Sequence, residues 1–169
     1  MTRRAVVQKW ILYSLCALAL VLVQSLLLVR VQVWGVHPFL LPAIAVIPVT
    51  LERDEGALLF SVFFGLACDL LTPVAGLPCF YALAFLVSGG LAWLLSGRVV
   101  AAGLVCSLAA AASALVVCGV LHLAVLAGSQ SVDVTAAAVL AGKEAALSLP
   151  LTVLVHYPFR RRCLLTQRD

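Results

Sequence analysis

The sequence predicts an all-α integral membrane protein, a polytopic bundle of about six transmembrane helices. Three observations carry that reading. Of its 169 residues, 64% are hydrophobic and 11% charged, against roughly 45–50% and about 25% in soluble domains, and the mean hydropathy is +1.19. The apolar residues run together as Leu, Ala and Val, without the apolar–polar alternation of barrel strands. Lipid admits only helices and closed barrels, because backbone groups inside it must be paired internally. Finally, the basic residues gather in alternate connections between runs.

A spanning helix needs about 20 apolar residues. The first run, 11–29, follows Arg3, Arg4 and Lys9. A basic start before an apolar run also describes a secretory signal, but Val23-Gln24-Ser25 makes a poor cleavage site, so a retained helix is expected. The second span, 35–51, carries Pro38, Pro42 and Pro48 and is expected to be short and kinked, since an interior proline removes a helical hydrogen bond. The turn Glu52-Arg53-Asp54-Glu55 separates it from a third span, 56–71. These two could instead form a re-entrant hairpin. The remaining spans are expected at 78–96, 101–127 and 135–158, the last followed by Arg160-Arg161-Arg162.

Six spans place both termini on one side. With the N-terminus inside, nine of the eleven basic residues fall inside, Arg30 falls outside, and Lys143 lies within the last span. The positive-inside rule therefore predicts cytoplasmic termini. All loops are short, so residues 1–169 read as a single transmembrane domain. No basic cluster interleaves with aromatics as a nucleic-acid surface would. Among the six cysteines no CxxC occurs, so neither a zinc nor a redox motif is expected. Cys68 and Cys79 fall near one helix–loop junction, where a disulfide is conceivable but not implied by spacing. His37, His122 and His156 are scattered. The phosphate-loop, nucleophile-elbow and HExxH templates are all missing. The expectation is a protein without catalytic residues, metal or cofactor.

Small residues recur every four positions as Ala84, Ser88, Ala92 and Ser96, as Gly103, Ser107 and Ala111, and as Ala138, Gly142 and Ala146. Such stripes let helix backbones approach closely. They serve either internal packing or the transmembrane helix of a partner. Asp69 sits near the C-terminal end of the third span, where the helix dipole disfavours a carboxylate and where an intramembrane charge suggests a role. The alternative is a carboxylate at the interface, hydrated or bonded to the turn at Thr72. Gly65 lies one turn earlier and Gly76 in the turn that follows. Lys143 and Glu144 interrupt the last span before Pro150, near mid-bilayer by a rise of about 1.5 Å per residue. Glu144 is expected to face other helices, its partner being Lys143, if the helix is distorted there, or a polar group on another span such as His122.

The chain resembles the MreD family of rod shape-determining membrane proteins. The resemblance rests on Phe39-Leu40-Leu41-Pro42, on the charged turn ending in Gly56, and above all on Gly65-Leu66-Ala67-Cys68-Asp69-Leu70-Leu71 with Gly76 beyond it. Length, basic tails and a last span with Glu144 and Pro150 fit as well; the Lys143-Glu144 pair departs from the neutral polar residue expected there. The resemblance implies a multi-pass scaffold in the bacterial cytoplasmic (inner) membrane, without cofactor or catalysis. Its implied partners are an MreC-like protein and, through it, MreB, RodA and a penicillin-binding transpeptidase that direct peptidoglycan synthesis along the cell cylinder. It further implies a fold like that of energy-coupling-factor transporter S-components. A vitamin-binding S-component is the main alternative; against it, Ala17 and Ala19 have the wrong spacing for the Ala-x-x-x-Ala docking pattern, and few aromatics are expected near the outer face. A lipid-processing enzyme, a third alternative, lacks a carboxylate or histidine constellation.

Overall fold

The computed structural model describes residues 3–52, 54–72, 79–98, 103–128 and 134–166. Six α-helices account for nearly all of them: α1 (Arg3–Leu26), α2 (Leu41–Glu52), α3 (Glu55–Leu71), α4 (Phe80–Arg98), α5 (Leu104–Gly128) and α6 (Val134–Thr166). The described residues contain no strand, only an isolated bridge between Val33 and Val36. The segments Val6–Arg30, Leu104–Gly128 and Thr135–Arg161 are each long and apolar enough to cross a membrane.

α1 carries the character of a membrane-spanning helix. Tyr13 and Ala17 point inward and are buried, while Ile11, Leu15, Leu18, Leu22 and Leu26 are exposed along the other side. In water that outer stripe would be polar. Here both faces are apolar, and the outer one suits a hydrocarbon surrounding.

α2 departs from expectation. Its helix starts at Leu41, not near residue 35. A turn of 3-10 helix at Leu28–Arg30 ends the first span. The chain then reverses through Trp34 and Gly35, with φ of 56° and 78°, while Val33 and Val36 exchange backbone hydrogen bonds of 3.1 Å. Positive φ at both central residues is the geometry of a two-residue hairpin turn. Pro38 next holds His37 away from helical conformation, so the helix waits for Leu41. Pro42 falls in the first turn, where its missing N–H has no helical partner to lose.

The twelve residues of α2 span about 18 Å at 1.5 Å each, well short of a hydrocarbon core of about 30 Å. Residues from Pro42 to Thr50 are all buried, and α2 touches each of the other five helices. It is the axis of the bundle, which is why its sequence is apolar on every side.

The two ends of the bundle are chemically distinct. At the basic end, Glu52 closes α2 by accepting hydrogen bonds from Lys9 Nζ and Tyr13 Oη, both 2.7 Å. Tyr13 stacks on Phe159 of α6 at 5.6 Å between centroids, and Trp10 lies where a Cβ on Gly56 would sit, 2.8 Å from its ring. At the far end, the entrance of α2 is tied to its neighbours. Ser148 Oγ accepts from Phe39 N at 2.8 Å, and Gln24 Oε1 from Leu40 N at 2.8 Å. A chain of rings joins the ends: Trp10, Phe60, Phe64, Phe85 and Tyr81 follow one another with centroids 5.8–6.1 Å apart.

Candidate functional site

Asp69 is an architectural carboxylate. α4 begins after Cys79, whose carbonyl accepts from Leu83 N at 3.1 Å but whose side chain has no oxygen to cap the exposed N–H groups of the first turn. Asp69, on the preceding helix, supplies the cap. Its two oxygens accept from the backbone N–H of Tyr81 at 2.8 Å and of Ala82 at 2.9 Å. An anion is favoured at a helix N-terminus by those donors and by the dipole, so α4 offsets the unfavourable end of α3. Thr72 turns back instead on its own helix, its N–H and hydroxyl both reaching Cys68 O.

Gly65 makes that cap possible. A Cβ there would stand 2.7 Å from Ala82 Cα and from Tyr81 O, and 2.9 Å from Ala82 N. Only glycine lets α3 come close enough for a short aspartate side chain to reach the α4 backbone. One turn earlier, Ser61 Oγ donates to Phe85 O at 3.1 Å, and a Cβ on Gly89 would lie 3.2 Å from that oxygen. Ala57, Ser61 and Gly65 are all buried. This fourfold stripe on α3 was as readable as the others but lay hidden among Phe60, Phe63 and Phe64. Gly76 lies outside the described residues. Cys68 and Cys79 are both free thiols, so the conceivable disulfide is not formed.

The remaining stripes divide. Ala84, Ser88, Ala92 and Ser96 are buried, as are Ser107 and Ala111, so these faces of α4 and α5 pack within their own bundle. Ser88 Oγ returns to Ala84 O at 2.7 Å. Ser107 joins three helices: its hydroxyl lies 3.0 Å from Thr50 Oγ1 of α2 and 2.9 Å from His156 Nδ1 of α6. This buried knot was not anticipated, because nothing in a sequence relates positions 50, 107 and 156. On α6, by contrast, Ala138, Gly142 and Ala146 are exposed, and a Cβ on Gly142 would meet nothing within 4 Å. α6 continues through Pro150, which is exposed, and through Pro158.

Beside that stripe, at the far end, a recess of about 290 Å³ opens between α4, α5 and α6 and the segment entering α2. Its wall includes Phe39, Phe80, Tyr81, Leu140, His122 and Glu144. Phe80 and His122 meet edge to face at 6.0 Å. Glu144 is half-buried and Lys143 exposed. Among the described residues no hydrogen bond or ion pair joins the Glu144 carboxylate to Lys143, to His122 or to another polar group on a neighbouring span. Three aromatic rings, an imidazole and a carboxylate thus converge where few aromatics were expected. The convergence depends on Phe39, which the late start of α2 leaves at the rim. Among the described residues no cluster of His, Cys, Asp and Glu is arranged to hold a metal ion. No family model, no curated protein and no solved structure matches the chain.

Proposed function

We propose that the protein is a non-catalytic membrane scaffold that binds other membrane proteins, and that its working surface is the α6 stripe together with the adjoining recess. The observation that carries this reading is the division of the small-residue faces. Those of α3, α4 and α5 are used inside the bundle, whereas Ala138, Gly142 and Ala146 remain uncovered. Association in lipid relies on close packing and interhelical hydrogen bonds, for which such a face is suited. The half-buried Glu144 beside it offers an acceptor to a donor on the partner. The resemblance of residues 39–96 to the MreD family supplies the context: the cell-elongation complex of a rod-shaped bacterium, with an MreC-like protein as direct partner and MreB, RodA and a penicillin-binding transpeptidase beyond it. In that setting the basic end faces the cytoplasm and the recess faces outward.

The test is co-purification from detergent with an MreC-like protein. Gly142→Leu should fold and insert normally, because its site is open, yet lose the partner and round the cells of a rod-shaped host. Retention of the partner by Gly142→Leu and by Ala138→Leu would remove α6 from the interface. A second reading has a specific observation behind it. The aromatic rings, His122 and Glu144 around the recess suit a small organic ligand, as in a vitamin-binding S-component. A tightly bound small molecule released from the denatured protein, with no cell-wall partner, would favour that reading over the scaffold.

A further inference from the structure

At the basic end, α1 and α6 separate to leave a lateral groove of about 450 Å³. Leu12, Cys16 and Ala19 form one wall, and Tyr157, Pro158 and Arg161 the other. The groove has a polarity along its length. From Leu12 to Ala19 α1 rises about 10 Å, which is roughly two-thirds of the hydrocarbon depth of one leaflet, and the residues it gives to the groove, Leu12, Leu15, Cys16 and Ala19, are apolar. Arg161, at the basic end of the groove, is exposed, with exposed Arg160 beside it in sequence. Neither arginine has an ion pair among the described residues, whereas Lys9 of α1 is taken by Glu52 at 2.7 Å. Tyr157, also exposed, sets a hydroxyl-bearing ring one turn from Arg161, and such rings favour the membrane interface.

We propose that this groove is a binding site for one anionic glycerophospholipid of the adjacent leaflet, its phosphate held by Arg161 and one acyl chain laid along Leu12, Cys16 and Ala19. The charge complementarity selects the occupant. A guanidinium presents paired donors that match a phosphate oxygen pair, and unpaired arginines at the membrane surface attract anionic headgroups. The small side chains of Cys16 and Ala19 leave room for a hydrocarbon chain that larger residues would fill. This site is separate from the recess and from the α6 stripe, so it stands or falls independently of the scaffold reading.

The full-length protein, purified in a neutral detergent, should retain phosphatidylglycerol in native mass spectrometry and be stabilised by it against heat, with phosphatidylcholine of the same chain length much less effective. Arg161→Ala should weaken phosphatidylglycerol retention about tenfold, the loss expected for one charge-assisted contact. Because Arg161 is exposed, that variant should still elute as a single species. Ala19→Trp should block retention by filling the groove while leaving both arginines in place. Equal retention of phosphatidylcholine, or undiminished binding by both variants, would reduce the groove to ordinary annular lipid and overturn the proposal. Equal stabilisation by glycerol 3-phosphate or inorganic phosphate would also overturn it, since that would make the site one for a free phosphate group.

Discussion

Two residues of α3 act on one short stretch of α4 backbone, Gly65 by leaving space and Asp69 by filling it with an acceptor. Removing the acceptor strands two N–H groups at a helix start. Asp69→Ala should therefore lower stability by about 2 kcal/mol, the upper range for a lost cap. Asp69→Asn keeps one acceptor oxygen and should lose roughly half as much. Unfolding in a graded detergent series would measure both, and an Asp69→Ala protein as stable as the parent would show that the cap is dispensable. Gly65→Ala must push α3 and α4 apart, because its Cβ would meet backbone and not a movable side-chain tip; a loss of roughly 1–3 kcal/mol is expected. Gly90 is the internal control. It is helical, and a Cβ added there would meet nothing within 4 Å, so Gly90→Ala should be neutral or gain up to about 1 kcal/mol. At this scale the sequence drew attention to Gly65 and Asp69, but the one bonding partner it offered for Asp69 was the adjacent turn at Thr72. The true partner lies 12–13 residues away, beyond what local spacing can specify.

Helices are joined here by a few polar contacts set in an apolar interior. The clearest joins α1 to the end of α2, where Lys9 and Glu52 keep only 9% and 13% of their side-chain surface exposed. Breaking such a pair from one side leaves an uncompensated ion, while replacing both can be nearly neutral. Lys9→Met and Glu52→Leu should each destabilise by about 3 kcal/mol, and the double variant should fall short of their sum by at least about 1 kcal/mol. Additive losses would mean that the contact contributes little. The existence of six helices was legible in the runs of apolar residues, and the second is short, as its prolines led one to expect. Its true start was not read, although Gly35 and Pro38 carried the signal: a positive-φ turn followed by a residue that holds its predecessor extended. The fate of the small-residue stripes was illegible for a different reason. In lipid an inward and an outward face are both apolar, so composition cannot tell a face that packs on its own bundle from one left open.

Across the whole molecule the basic residues are the basis of the proposed orientation. The cytoplasmic placement proposed for the Lys9–Arg161 end predicts that, on a cysteine-free background, Trp34→Cys is labelled from outside intact cells and Asp54→Cys is protected. Trp34 is 71% exposed at the apex of its turn, so access there is not limited by packing, and the reverse labelling pattern would invert the molecule. The burial of α2 adds a constraint on how that arrangement is reached. α2 is wrapped by α5 and α6 as well as by its earlier neighbours, yet it leaves the ribosome long before either of them. A twelve-residue segment bearing Pro42 and Pro48 is a poor substrate for release into lipid alone. Biogenesis is therefore expected to run out of order: α1, α3 and α4 settle first, and the central helix is sheltered, by the insertion machinery or by a shallow position at the surface, until α5 and α6 arrive to enclose it. Nascent chains arrested after α4 should accordingly remain crosslinkable to the translocon through α2, and lose that contact once α6 has emerged.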